Sequence, residues 1–303
     1  MEIKAVNKKR EKKELSSYTK QQIVAYLFLS IPFLLVLIFK YIPIAIGVFM
    51  SFFDISIVEL PGEFIGFDNY IRAFKDPKVW SGIWICIKFY LYGLLMGFWP
   101  PIITALLINE SRKLRPVFRI GYFIPAIAPG VAMTIVWKYV WQPEYGLANY
   151  VLSIFGIEPQ LWLNDPELVF FAMAFPGLVV TGGMTMLYYL AAMQEVPAEH
   201  YEAATIDGAG FFKKTWYITL PAIKNIIGLM FLLNTVGIFN NLDGPLITTG
   251  GGPAGATETV LLYAWKQANN SMDYGYAVTL STFVFVIVLV ITIGKECLTK
   301  KEE

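Results

Sequence analysis

Few side chains in this sequence are equipped for covalent or redox chemistry. There is one histidine, His200, and there are two cysteines, Cys86 and Cys297. A single histidine precludes a multi-histidine metal centre. Two cysteines far apart, without ligand-like spacing, read as bystanders. The phosphate-cradling pattern GxxxxGK[ST] is absent. The nearest run, GFFKKT at Gly210–Thr215, lacks its second glycine and its spacing. No metal and no cofactor are therefore expected in this chain, and any ATP and Mg are expected on another. The net charge of +1 carries no electrostatic footprint for nucleic acid. What remains is recognition without bond-making. Small residues flanked by acids, Glu202, Ala203, Ala204, Asp207, Gly208 and Ala209, suit close contact with another surface. Asn234, Asn240, Asn241 and Asp243, with Trp137, suit a polyhydroxylated ligand, and amides in such a setting also glue helices together. The glycine run Gly250, Gly251, Gly252 before Pro253 suits a docking or gating surface or a flexible turn.

The elements that hold these residues are read from hydropathy. Of 303 residues, 56% are hydrophobic and 16% charged, where soluble domains run near 25% charged. Mean hydropathy is +0.55. A spanning helix needs about 20 apolar residues, and six segments qualify: 22–53, 80–109, 120–141, 168–193, 222–240 and 276–293. The fold class is all-α, a six-helix membrane protein. Residues 1–21 form a basic N-terminal segment, 22–294 the spanning domain with a loop at 195–221, and 295–303 a tail. The basic start KKREKK precedes an apolar run too long for a signal core, with no small-residue cleavage site, so that run is kept as the first span.

Lysine and arginine orient the spans. The N-terminal segment, the loops after spans two and four, and the tail hold seventeen. The opposite loops hold four: Arg72, Lys75, Lys78 and Lys266. Both termini and the 195–221 loop are therefore expected in the cytoplasm. Three lysines fall within spans: Lys40, Lys88 and Lys138. Each sits toward an outer end near aromatic anchors, either snorkelling or meeting a ligand. Prolines at 100, 101, 125, 129 and 176 interrupt spans two to four, as packing kinks or as breaks lining a water-filled pathway.

The loop 195–221 reads as helix, turn, helix across the cytoplasmic face. Pro197 is placed as the first helical residue, Ile206 as the last, and Gly208 as the C-terminal glycine. A second amphipathic piece, FFKKTWYITL, leads to Pro221 at the start of span five.

These residues carry a resemblance. Glu202-Ala203-Ala204, Asp207-Gly208-Ala209 and Ile218-Thr219-Leu220-Pro221 resemble the EAA signature of the permeases of binding-protein-dependent ABC importers. FIGFDNYIRAFKDPKVW (64–80), WQPEYGLAN (141–149), TGGGPAGATETVLLYAWKQA (249–268) and GYA (275–277) resemble the outer loops of the carbohydrate branch, the maltose and glycerol-phosphate permease group. Ile85 and Cys86 replace a frequent Asn-Thr pair, and Asn225 replaces a frequent proline.

The resemblance implies a type I importer subunit in a bacterial cytoplasmic (inner) membrane. Glu202, Ala203, Ala204, Asp207, Gly208, Ala209, Leu220 and Pro221 would couple it to two ABC ATPase subunits. A homologous second permease would complete a heterodimer, and an extracellular solute-binding protein would deliver a sugar, expected to be an oligosaccharide. A glycerol-phosphate-like or other anionic solute is the alternative. A secondary transporter predicts internal repeats or charged relays, and an intramembrane enzyme predicts a nucleophile–base pair in the spans. The sequence displays none of these.

Overall fold

The computed structural model describes residues 2–55, 62–110, 121, 128–179 and 182–299. The basic loop holding Arg112, Lys113, Arg115 and Arg119, most of the first half of span three with Pro125, and Lys300 and Lys301 lie outside the described residues. So do the basic side chains up to Lys13.

The first span is α1 (Glu2–Val36), a π-helical turn at Leu37–Tyr41, and α2 (Ile42–Met50). After it come the short strands β1 (Phe53–Asp54) and β2 (Glu63–Phe64). They pair antiparallel, with Phe53 opposite Phe64, a small ribbon that the hydropathy reading did not anticipate. Then come α3 (Asp68–Lys75) and the second span, α4 (Pro77–Gly93), a π turn at Leu94–Phe98, and α5 (Trp99–Glu110). The third span is described by α6 (Gly130–Val140), and α7 (Leu147–Ile154) lies outside it. The fourth combines α8 (Val169–Val179) and α9 (Gly182–Gln194). The fifth is α13 (Lys224–Phe239). It is preceded by α10 (Ala198–Ile206), α11 (Phe211–Lys214), a π turn at Thr215–Thr219, and α12 (Leu220–Ala222). Two outer helices, α14 (Asp243–Thr248) and α15 (Val260–Asn270), lead to the sixth span, α16 (Tyr274–Thr299).

By length and apolarity, three described helices span unaided: Thr19–Met50, Pro77–Glu110 and Tyr274–Lys295. Two bent pairs, Val169–Val179 with Gly183–Gln194 at 48° and Phe211–Ala222 with Lys224–Phe239 at 71°, bring the number up to five. Of the six expected spans, the third is described only through Gly130–Val140, which is too short to cross alone. Span five begins at Lys224, after the break at Ile223, rather than at Pro221.

The π turns have a local cause. A proline lacks the N–H that would bond the carbonyl four residues earlier, and its ring crowds that carbonyl. Pro43, Pro100 and Pro221 each follow a π turn by two residues. The crowded carbonyls, on Phe39, Met96 and Tyr217, lie inside the widened turns. Pro32 and Pro176 sit in helices without such a turn.

Packing divides by depth. Toward the end of the bundle that carries the 195–221 loop, Phe98, Ile102, Ala105 and Ile108 of span two meet Met186, Tyr189 and Met193 of span four and Ile223. Toward the outside, Ala73 and Val79 meet Val260, Tyr263, Tyr276 and Leu280. Lipid is as apolar as these side chains, so close van der Waals fit, rather than escape from water, holds the spans together. Small residues make that fit available. A Cβ on Gly82 would lie 2.9 Å from the Val260 nitrogen, so α4 and α15 touch backbone to backbone. The most apolar window of the first span contains no buried residue; among the described elements its main packing is that of α2 on α16.

Candidate functional site

A concave cavity of about 880 Å³ is walled by spans two to five and α14. Thr134, Trp137 and Trp141 line it from α6 and its end, Tyr188 from α9, Asn234 from α13, and Asn241, Asp243 and Thr248 from the turn beyond. Trp137 and Trp141 stack, with centroids 6.0 Å apart and planes at 26°. Gly93, Gly97 and Gly177 let the backbone form part of the wall; a Cβ on Gly97 would lie 3.9 Å from Gly177 Cα.

Among the described residues, two polar atoms of cavity-lining residues have no hydrogen-bond partner. The Asn234 Oδ1 acceptor and the Trp141 Nε1–H donor are both buried and unbonded. Leaving such a group unpaired costs about 1–3 kcal/mol. Asn241 Oδ1 accepts from the Gly244 N–H at 3.0 Å. Asn240 departs from expectation. It is absent from the lining, and its Nδ2 donates back to the Val236 carbonyl at 3.0 Å. The helix ends at Phe239, so Asn240 is its C-cap, and Asn241 lies beyond the helix, where the chain turns back along the cavity.

The three lysines in the spans do not line the cavity. Lys138 Nζ donates to the Ile247 carbonyl at 3.0 Å. Lys88 Nζ lies 5.3 Å from the Phe170 ring centroid, and Lys40 is exposed on its π turn. Thr134, Trp141 and Tyr188 were missed by sequence reasoning. The spacing of Thr134, Trp137 and Trp141, three and then four residues, is one helix face and was the signal available.

On the other face of the molecule, α10 begins after Pro197, which sits at the N-cap with ψ 134° rather than in the first turn. Its end is a Schellman motif. Ala209 N–H donates to the Ala204 carbonyl at 2.8 Å and Gly208 N–H to Thr205 at 3.0 Å, with Gly208 at φ +75°. Glu202, Ala203 and Asp207 are exposed and Ala204 half-buried. The returning segment is tied to α10 by the Tyr201–Thr219 hydroxyl pair at 3.0 Å and by Lys214 Nζ to Thr205 Oγ1 at 2.8 Å. Leu220 packs against the span-two and span-four cluster, and Pro221 is exposed.

The outer glycine run is an ordered knot, not a flexible turn. Gly250 and Gly251 take φ +60° and +95°. Thr249 and Thr257 hydroxyls bond at 2.6 Å, and Thr257 Oγ1 donates to the Gly252 carbonyl at 2.8 Å. A Cβ on Gly251 would lie 2.9 Å from Lys266 Nζ, which is paired with Glu258 at 2.7 Å. Beside it, Asp76 gathers the outer elements. Its Oδ2 accepts from Tyr263 at 2.8 Å and Tyr276 at 2.9 Å, and its Oδ1 accepts from the Lys78 N–H at 2.9 Å. Arg72 lies 3.8 Å over the Tyr276 ring and pairs with Asp273 at 2.7 Å.

Burial works to raise the Asp76 carboxyl. The Lys78 N–H and the two hydroxyls outweigh it and hold Asp76 below its ordinary 3.8. Burial, then the Asp76 carboxylate, pushes Tyr263 up to about 12, so it stays a donor. A depressed carboxylate stabilises above its unfolded value and loses that contribution as pH falls through its folded value. Below about pH 4 the outer face is therefore expected to loosen. The check is amide hydrogen exchange at 260–277, read between pH 7 and pH 3, with Asp76→Asn losing the pH dependence.

Residues 93–300 match the family described as the binding-protein-dependent transport system inner membrane component. The trehalose/maltose transport permease MalF of Thermococcus litoralis is 33% identical over 85% of this chain and 87% of its own length. The sulfoquinovosyl glycerol transport permease SmoG of Agrobacterium fabrum is 30% identical over 93% of this chain and 94% of its own. In fold, the chain resembles a solved bacterial ABC transporter involved in import of the acidic polysaccharide alginate. The TM-score is 0.80 at 24% identity, covering 95% of this chain and 99% of that one. With most of its length inside the family match, several apolar helices and the EAA-type loop in place, this chain belongs to the family of membrane permease components of binding-protein-dependent ABC transport systems.

Proposed function

We propose that this permease carries a neutral oligosaccharide across a bacterial cytoplasmic membrane as one half of a heterodimeric pathway. The observation that carries the reading is the cavity. Half-buried Trp137, backed by the stacked and buried Trp141, offers a flat apolar face of the kind that meets sugar rings, and Asn234, Asn241 and Thr134 offer hydroxyl partners. The lysines of the spans are turned elsewhere, which disfavours an anionic solute. The names of relatives that transport trehalose/maltose or arabinooligosaccharides point the same way, whereas the sulfoquinovosyl glycerol permease, whose solute carries a sulfonate, points to the anionic alternative that the test addresses.

The rest of the assembly belongs to this reading. A homologous second permease supplies the other wall. A solute-binding protein delivers the sugar onto the outer knot at Gly250, Gly251, Gly252 and Pro253. ATP and Mg bind two partner ATPases, which grip Glu202, Ala203 and Gly208. ATP closes those ATPases and favours one orientation of the spans over the other; transport follows from that differential affinity.

The test has two steps. The cognate binding protein is screened by thermal shift against a panel of neutral and acidic oligosaccharides and glycerol phosphates. The best ligand is then followed as labelled uptake into proteoliposomes holding the assembled transporter. A binding protein that takes only anions overturns the neutral-sugar reading. Among variants, Asn234→Ala is expected to lower uptake about 5- to 10-fold, the loss of one hydrogen bond to a bound ligand. Asn240→Ala is expected to leave uptake within twofold. Equal effects at the two positions would detach the cavity from the pathway.

A further inference from the structure

We infer that Phe211–Ala222 is an interfacial membrane anchor. Phe212, Trp216 and Tyr217 sit in the headgroup–acyl boundary of the cytoplasmic leaflet, and Lys213 in its phosphate layer. The inference goes beyond the transport reading and rests on it in one respect, that α10 faces the cytoplasm.

Depth is the first argument. Ile223, where the segment meets span five, is 1% exposed and packs with Ile108 and Met193. Met193 lies one residue before Gln194, where α9 ends, and Ile108 lies in the last described turn of α5. The segment therefore leaves the bundle from the last apolar turn, at headgroup level.

Direction is the second. The segment is inclined at 71° to span five. Twelve helical residues are about 18 Å long, of which about 6 Å falls along the span axis at that inclination. The interfacial layer on each side of the hydrocarbon is about 5–8 Å deep. Such a segment stays in that layer along its length.

The third argument is the division of its faces. Thr219 is buried, and Phe211, Lys214, Thr215 and Ile218 are half-buried; Lys214 and Thr219 bond to α10. The opposite face leaves Phe212 84%, Trp216 68% and Tyr217 75% exposed, with Lys213 exposed beside them. Aromatic side chains in water at that density are unfavourable. Trp, Tyr and a snorkelling lysine are the residues that the bilayer interface takes. A partner on Glu202 and Ala203 would approach α10, the element that the aromatic face turns away from.

The experiment uses nitroxide labels at cysteines introduced singly at 212, 216, 217 and 206, in a Cys297→Ser background; Cys86 is buried. The assembled transporter is placed in vesicles of phosphatidylethanolamine and phosphatidylglycerol. Relaxation is measured with molecular oxygen, which concentrates in lipid, and with a water-soluble nickel chelate. At 212, 216 and 217, oxygen is expected to act several-fold more strongly than nickel, with or without the ATPases. Nickel dominating at these sites means water, and protection from both reagents only when ATPases are bound means a protein contact; either overturns the anchor. Position 206, on α10, is expected to be open to nickel and shielded by the ATPases. Failure there overturns the docking reading alone. Because a label replaces an anchoring ring, the wild type is also compared with Trp216→Phe. The emission lost in that variant is expected to be quenched by brominated acyl chains, and an unquenched difference counts against insertion.

Discussion

Gly208→Val is expected to leave the protein in the membrane and to abolish uptake, while ATP hydrolysis by the associated ATPases continues or falls out of step with the solute. The cause begins in the backbone. Gly208 stands at φ +75°, where a Cβ crowds the following carbonyl at a cost of about 1–2 kcal/mol, and β-branching makes it worse. That conformation closes the Schellman motif, whose two bonds aim the chain from α10 back toward span five. Nothing lies within 4 Å of a Cβ built there, so strain is the whole intramolecular effect. Asparagine tolerates this region better than other non-glycine residues, so Gly208→Asn is expected to keep the turn. Uptake by Gly208→Asn therefore reports whether a partner needs the space that the glycine leaves. Gly208→Trp fills it outright. Uptake and ATPase rates in proteoliposomes, with co-purification of the ATPases, check all three. Full uptake by Gly208→Trp would remove the docking surface from the mechanism.

Gly275→Ala is expected to disrupt the packing of the β ribbon against the last span. Its Cβ would lie 2.5 Å from the Phe53 carbonyl oxygen and 3.0 Å from the Ile55 nitrogen. Both are backbone atoms and cannot swing aside as a side chain would. Relief requires moving the β ribbon off the last span, which also strains the Thr279 Oγ1 bond to the Ser51 carbonyl at 3.0 Å. Overpacking of this kind costs about 1–3 kcal/mol, and two backbone contacts place the site at the upper end. Gly237→Ala, with no atom within 4 Å of the new Cβ, is the control, in the last turn of α13. Thermal unfolding of the purified protein in detergent is expected to fall by several degrees for the first and to be unchanged for the second.

How far the fold was readable follows from what lipid demands. Hydrocarbon imposes a length and a composition on each span, so 80–109 and 276–293 stand out and the structure places long helices over both. The GYA motif at 275–277 was recognisable as a pattern, but its reason, a glycine against the Phe53 carbonyl, joins residues more than two hundred positions apart. The helix 198–206 and its glycine stop were legible because capping is local chemistry. Asn240 and Asn241 were inseparable in the sequence. Which one meets the cavity depends on where α13 ends, a detail of one helical turn. Composition left the outer glycine run open between a docking or gating surface and a flexible turn, because the bond between the Thr249 and Thr257 hydroxyls exists only in the folded loop.

The π turns carry a consequence for chain length. A π turn holds one residue more than the α turn it replaces, so each behaves as an insertion absorbed inside a helix and rotates everything beyond it by about 100°. Residues that share a face on both sides of Leu94–Phe98 are thus out of step by one position with a continuous helical count. Two related permeases could differ by one residue here and still superimpose turn for turn on either side. The prolines at 43, 100 and 221 mark the points in this chain where an alignment gap inside a helix is physically meaningful rather than an error.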